Sequence, residues 1–172
     1  MHADPQLFSL APADFDFIIG DWTVRHRRLK ARLAGCTEWV EFAGTSSTRK
    51  TLGGFGNLED NELFLPDGNY RAVALRSFDR ASRQWAIWWL DDRHPHALDT
   101  PVVGSFDEAG RGFFYADDVF EGRPIKVRFI WSIPTPQMPE MPRWEQAFSS
   151  DGGKTWETNW MMEFTRRESA AA

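Results

Sequence analysis

Apolar and polar positions alternate along most of this chain. Ile125, Val127, Phe129 and Trp131 alternate with Lys126, Arg128, Ile130 and Ser132. Trp144, Gln146 and Phe148 oppose Arg143, Glu145 and Ala147, and near the C-terminus Trp156, Trp160, Met162 and Phe164 oppose Glu157, Asn159 and Glu163. A period of two sends successive side chains to opposite faces of a β-strand. No segment keeps the i, i+3, i+4, i+7 apolar spacing of a helix for three turns. Turn signals recur at short intervals: Gly53-Gly54, Pro66-Asp67-Gly68, Asp79-Arg80, Asp107 to Gly110, Glu121-Gly122 and Asp151-Gly152-Gly153. Between them the pattern predicts ten strands: Trp22–Leu33, Thr37–Thr48, Asn61–Leu65, Tyr70–Phe78, Gln84–Asp91, Val102–Phe106, Gly112–Asp118, Ile125–Trp131, Arg143–Phe148 and Trp156–Thr165. Asp14 to Ile19 predicts one helical turn ahead of them.

Short strands joined by hairpins predict an all-β sandwich or barrel. An up-and-down antiparallel barrel of about ten strands is preferred, because closure removes exposed strand edges. The chain has 172 residues, enough to bury a core without staples. It reads as one barrel domain over residues 1–167 with a disordered tail at 168–172. The irregular stretches Asp92–Pro101 and Pro134–Pro142 interrupt the strand series without dividing it.

Nine Trp and fourteen Phe against two Tyr exceed what a core of this size needs, so some should line a cavity or a contact between subunits. The formal charge of −5 argues against nucleic acid and anionic membranes as partners. One cysteine, Cys36, excludes an intrachain disulfide and fits a cytoplasmic site. The first twenty residues lack the features of a secretory signal, and no apolar run has the length to span a bilayer.

Gly20-Asp21-Trp22, following a helical turn, resembles the opening of lipocalins and fatty-acid-binding proteins. The resemblance implies that Trp22 plugs the barrel floor and that Arg166 or Arg167 lies across it. The blocks Phe15–Trp22, His26 to Lys30, Glu38–Phe42, Trp88 to Asp91 and Pro142 to Phe148 resemble an uncharacterised bacterial family of lipocalin-like domains. That resemblance implies the same calycin-type barrel and no assigned activity.

With Trp22 inward, strand parity carries Val24, His26 and Arg28 to the interior. An inward His and Arg cost desolvation, which points to a polar cavity; a bulge that flips the register would instead leave both in water. The candidate ligand-binding residues are Trp22, His26, Arg28, Trp88, Arg128, Trp144, Glu145 and Trp160. The leading expectation is a barrel that binds a small, partly apolar molecule with a polar or anionic group, without a cofactor. One alternative is an isomerase or hydrolase using His26 as acid or base, oriented by Glu145 or Glu38. Others are a haem barrel of the nitrobindin kind, with a His as axial ligand, and a purely structural subunit. Both faces of Gln84–Asp91 are apolar, so a homo-oligomer, such as a dimer, is expected over one of them. His94-Pro95-His96 beside Asp91-Asp92 offers metal-ligand types without a recognised spacing, and Cys36 reads as an inert thiol. Ser149 to Trp156 matches the Asp-box, a hairpin brace in which an Asp carboxylate accepts turn N–H groups.

Overall fold

A computed structural model describes residues 11–134 and 141–168. The ten strands are β1 (Gly20–Leu29), β2 (Trp39–Thr51), β3 (Gly56–Phe64), β4 (Tyr70–Asp79), β5 (Gln84–Asp91), β6 (Val102–Phe106), β7 (Arg111–Phe120), β8 (Arg123–Ser132), β9 (Arg143–Ser149) and β10 (Glu157–Arg166). Each pairs antiparallel with its sequence neighbour, and β1 also pairs with β10, which closes the barrel. The expected barrel of lipocalin-like shape is therefore present. A 3-10 turn at Asp16–Ile18 precedes β1, within the predicted helical turn. Among the described residues no helix is long and apolar enough to cross a membrane.

Most strand boundaries shift by one to three residues, and two shift by four or more. β1 ends at Leu29, and Leu33 and Gly35 turn the chain through positive φ before β2. β3 begins at Gly56 rather than Asn61 because its inward positions, Asn57, Glu59 and Asn61, are polar and mask the alternation. Most of the proline-rich stretch Pro134–Pro142, and residues 169–172 of the expected tail, lie outside the described residues.

The floor is built as the Gly-x-Trp resemblance implied. Trp22 Nε1 donates to the Ile18 carbonyl at 2.8 Å. The Arg166 guanidinium stacks 4.2 Å from the Trp22 ring centroid and donates to the Ile19 carbonyl at 3.0 Å. Gly20 has φ of 121°, and a Cβ there would sit 2.5 Å from Arg166 Nη1, so this position requires glycine. Phe15, Trp85, Phe106, Phe114 and Trp131 fill the same end in edge-to-face and stacked contacts.

The wall is uneven. β7 and β8 pair over their full lengths, whereas β5 meets β6 only at Trp85–Gly104, Ala86–Val103 and Ile87–Val102. Beyond Ile87, the β5–β6 connection (residues 92–101) runs alongside instead, with Asp99 N–H donating to the Trp89 carbonyl at 3.0 Å. Outside the barrel, Trp88 lies opposite Leu75, and the exposed Val103 pairs with the exposed Tyr115.

The β9–β10 hairpin is braced by Asp151. Its carboxylate accepts from Lys154 N–H, Thr155 N–H, Thr155 Oγ1 and Ser149 Oγ at 2.6–3.0 Å. These bonds, led by that from the Thr155 hydroxyl, hold the carboxyl well below the usual Asp range. A depressed folded-state value contributes stability above the unfolded value of about 4, and the contribution is lost as pH falls. Asp151→Ala should therefore lower the urea midpoint at pH 7, with a smaller deficit at pH 3. An equal deficit at both values would show that the carboxylate charge is not what braces the turn.

Candidate functional site

The barrel is plugged at the Trp22 end and open at the other. A cavity of about 160 Å³ occupies the open half. Its inner lining is aromatic: Trp89, Phe129, Trp144 and Trp160 from β5, β8, β9 and β10. Trp160 meets Trp89 and Trp144 edge to face, at 5.5 and 5.2 Å between ring centroids, and Trp144 meets Phe129 at 4.9 Å. These rings come from alternate positions on strands that place every second side chain inside.

Elsewhere inside the barrel, away from the cavity lining, many inward positions of β2, β3 and β4 are small or polar. Gly44, Ser46 and Thr48 on β2, Asn57, Glu59 and Asn61 on β3, and Ala72 and Ala74 on β4 are all buried. Among the described residues Ser46 Oγ, Thr48 Oγ1 and both amide atoms of Asn61 have no hydrogen-bond partner. A barrel needing only a packed core would fill such positions with apolar side chains.

Arginines gather at the cavity mouth. Arg28, from the end of β1, stacks its guanidinium 4.0 Å from the Trp160 ring centroid. It donates through Nη2 to Tyr70 Oη at 2.6 Å, while its buried Nε has no acceptor. Arg32, from the β1–β2 loop, reaches the same space and lies over Phe148 at 5.4 Å. Burial, and then the charge of Arg28, push Arg32 down to about 10. Arg93 is paired with Asp91 at 2.9 Å and lies 3.7 Å from the Tyr70 ring centroid. Asp99 and Asp118 also line the mouth. Burial raises Asp99, with Asp118 and Asp91 adding to the rise. Among the described residues no carboxylate lies within 4.0 Å of the Arg28 or Arg32 guanidinium. Among the described residues the mouth thus holds two cations with no carboxylate within 4.0 Å, although Asp99 acts on Arg32 from farther off.

The candidates from sequence divide cleanly. Arg28, Trp144 and Trp160 line the cavity. Trp22 is the floor, remote from the mouth. His26 points inward as parity required but is sealed in the core at 1% exposure, stacked on Phe42 at 4.6 Å. Its Nδ1 accepts from Trp160 Nε1 at 3.1 Å, and its Nε2 faces Gly44, where a Cβ would sit only 2.8 Å away.

Trp88, Arg128 and Glu145 lie on the outer wall, each with the opposite parity to an inward neighbour: Trp89, Phe129 and Trp144. Arg128 stacks over Trp156 outside the barrel, 4.5 Å from its ring centroid. Glu38 is exposed and paired with Lys30 at 2.7 Å. Neither carboxylate expected to orient His26 is near it. His94 and His96 stand exposed in the β5–β6 connection.

Sequence reasoning missed Arg32, Tyr70, Trp89 and Asp99. Trp89 shares a face with Trp85 and Ile87, but both faces of that strand are apolar, so the pattern alone did not say which was inward. Arg32 and Asp99 are loop residues that no strand parity places.

No family model matches the chain, and no curated protein matches it in sequence. Among solved structures it is similar to an S-type phycobiliprotein lyase from Guillardia theta. The TM-score is 0.58 at 8% identity, over 98% of this chain and 99% of that one. At that identity the likeness is one of fold.

Burial, then the neighbouring charge of Arg28, push His26 down to about 3. Between pH 6.5 and that value the unfolded chain binds a proton that the folded chain refuses, so stability falls as pH falls. Wild type should lose about 2 kcal/mol between pH 7 and pH 5 from this group. Urea midpoints should show most of the loss gone in His26→Gln. A wild type equally stable at both pH values would mean that the imidazole is not held neutral.

Proposed function

We propose that this chain is a binding barrel for a small, flat, partly apolar acid, held with its ring against the Trp89–Trp144–Trp160 wall and its anionic group on Arg28 and Arg32. The observation that carries the reading is the Arg28 guanidinium, stacked on Trp160 and bonded to Tyr70, with no carboxylate of the described residues within 4.0 Å. A partly buried cation that no carboxylate contacts directly is costly, and a ligand anion bonded to it would offset that cost. A few polar groups on an apolar wall is the usual make-up of a small-molecule site. A closed cavity of about 150 Å³ is known to hold a benzene ring, which sets the scale of a ligand for 160 Å³.

The blocks resembling the bacterial lipocalin-like family support placing the chain there, and its single cysteine supports a cytoplasmic site. The structural neighbour is a lyase, but the enzymatic alternative draws no support from His26. That imidazole is buried, neutral and without an orienting carboxylate.

Titration of indole fluorescence with benzoate and with its neutral isostere benzamide tests the reading. Benzoate should bind more tightly to wild type, and Arg28→Met should weaken benzoate by roughly ten- to a hundred-fold, the value of a hydrogen-bonded charge. Benzamide binding should stay nearly constant in the variant. Stability should change by less than about 1 kcal/mol, because losing the Tyr70 bond and the stack on Trp160 is offset by no longer burying an unpaired charge. Benzoate affinity unchanged in Arg28→Met would assign the guanidinium to the core instead.

A further inference from the structure

The lining of the main cavity carries charges of both signs. Arg28, Arg32 and Arg93 share one space with Asp91, Asp99 and Asp118, so the six charges sum to zero. Of these, Arg93 and Asp91 meet at 2.9 Å. Among the described residues the other two arginines and the other two carboxylates have no oppositely charged group within 4.0 Å. The like charges of Asp118 and Asp91 act on Asp99, while Arg32 and His94 reach it only from beyond that distance.

Topology keeps the two sets apart. Arg28 stands at the end of β1 and Asp118 on β7, four strand steps away one way round the closed barrel and six the other, so the two lie on nearly opposite sides. Asp118 has the inward parity of β7. It is two residues from Phe120, whose ring meets Phe148 of the cavity lining at 5.5 Å, and four from the fully buried Phe114. Its carboxylate accepts from Val119 N–H at 2.8 Å. Asp99 lies three residues ahead of β6, the neighbour of β7, and is tied by its own N–H to the Trp89 carbonyl. Midway between the two sides, on β9, Gln146 also lines the cavity and is 8% exposed. Its Nε2 donates to Asn159 Oδ1 at 2.8 Å, and among the described residues nothing donates to its Oε1, which keeps accessible surface.

These acceptors change what the site asks of a ligand. A plain carboxylic acid meets Arg28 and Arg32 but brings no donor for Asp99, Asp118 or Gln146. It also adds a negative charge to a mouth that already holds two unpaired carboxylates. Like charges side by side in a partly closed space are costly until a cation reaches them. A protonated amine brings that charge together with three N–H donors. Closure of Arg32 onto Asp99 would match those two groups and leave Arg28, Asp118 and Gln146 as they are. Because Arg28 and Asp118 stand on opposite sides, the carboxylate and the amine belong at opposite ends of the ring.

We infer that the cavity takes a zwitterion: an aromatic acid with its carboxylate on Arg28 and Arg32 and a protonated amine, at the far end of the ring, on Asp118 and Asp99. The inference rests on the acid-binding reading of the mouth and adds the second charge. Asp99 and Asp118 then set specificity against simple acids of the same shape, because those leave two carboxylates unmatched.

The test compares 4-(aminomethyl)benzoate with 4-ethylbenzoate, in which a methyl group replaces the ammonium, by titration of indole fluorescence at pH 7. Wild type should bind the amine-bearing acid at least tenfold more tightly. Asp118→Asn and Asp99→Asn should each shrink that preference, and the double variant should bring it to threefold or less. Affinity for 4-ethylbenzoate should hold or rise in the same variants. Equal affinities of wild type for the two acids, or a preference for 4-ethylbenzoate, overturn the zwitterion and leave the mouth reading standing. A tenfold preference that survives the double variant overturns the placing of the amine on these carboxylates. Binding of neither acid, nor of benzoate, overturns the mouth reading and this inference with it. The wild-type comparison decides the matter even if a variant does not fold.

Discussion

The hydrogen bond from the Trp22 indole to the Ile18 carbonyl, clamped by Arg166, sets the geometry on which the rest of the barrel depends. It fixes one side chain of β1 as inward. Because strand side chains alternate, every other residue of β1 is then assigned a side. Pairing passes that assignment to β2 on one flank and β10 on the other, and closure leaves no edge at which the register slips unopposed. His26 and Arg28 are inside because Trp22 is.

Within that frame the interior is divided by chemistry. β5 and β8 to β10 bring indole and phenyl inside, whereas β2 to β4 mix small and polar groups with Phe42, Leu63, Tyr70 and the Glu59–Arg76 pair. The aromatic strands supply stacking area with little loss of side-chain freedom, while β2 and β3 leave some hydrogen-bonding groups unmatched among the described residues. His26 sits between the two as a structural imidazole, tied to Trp160 and closed off by Gly44. It orients the indole on which Arg28 stacks, so its contribution to the site is positional rather than chemical.

Much of the fold was legible because its controlling signals are local. Turn residues, period-two alternation and the Gly-x-Trp opening each act over a few residues. Ten strands and the inward parity of Arg28 follow from them. The failures are equally physical. A strand with one polar and one apolar face looks the same whether the polar face meets solvent or lines a cavity. Arg128 and Glu145 were therefore placed inside, and Asn57 and Glu59 hid the start of β3. Both faces of β5 are apolar, so Trp88 and Trp89 could be told apart only by the closed ladder. Arg32 and Asp99 reach the cavity from loops, whose course depends on packing that no short-range pattern encodes.

The seam between β5 and β6 bears on how quickly anything enters or leaves. With only the stretch from Trp85 to Ile87 laddered to β6, the barrel has one place where few backbone bonds resist separation. Local opening draws on the least-bonded segments first, at a free energy well below that of global unfolding. The upper half of β5, with the connection at residues 92–101 beside it, borders the cavity along this seam. Opening of this seam is thereby separable from the barrel's floor, because the weak ladder lies between β5 and β6 while the Trp22 end is held by its own bonds.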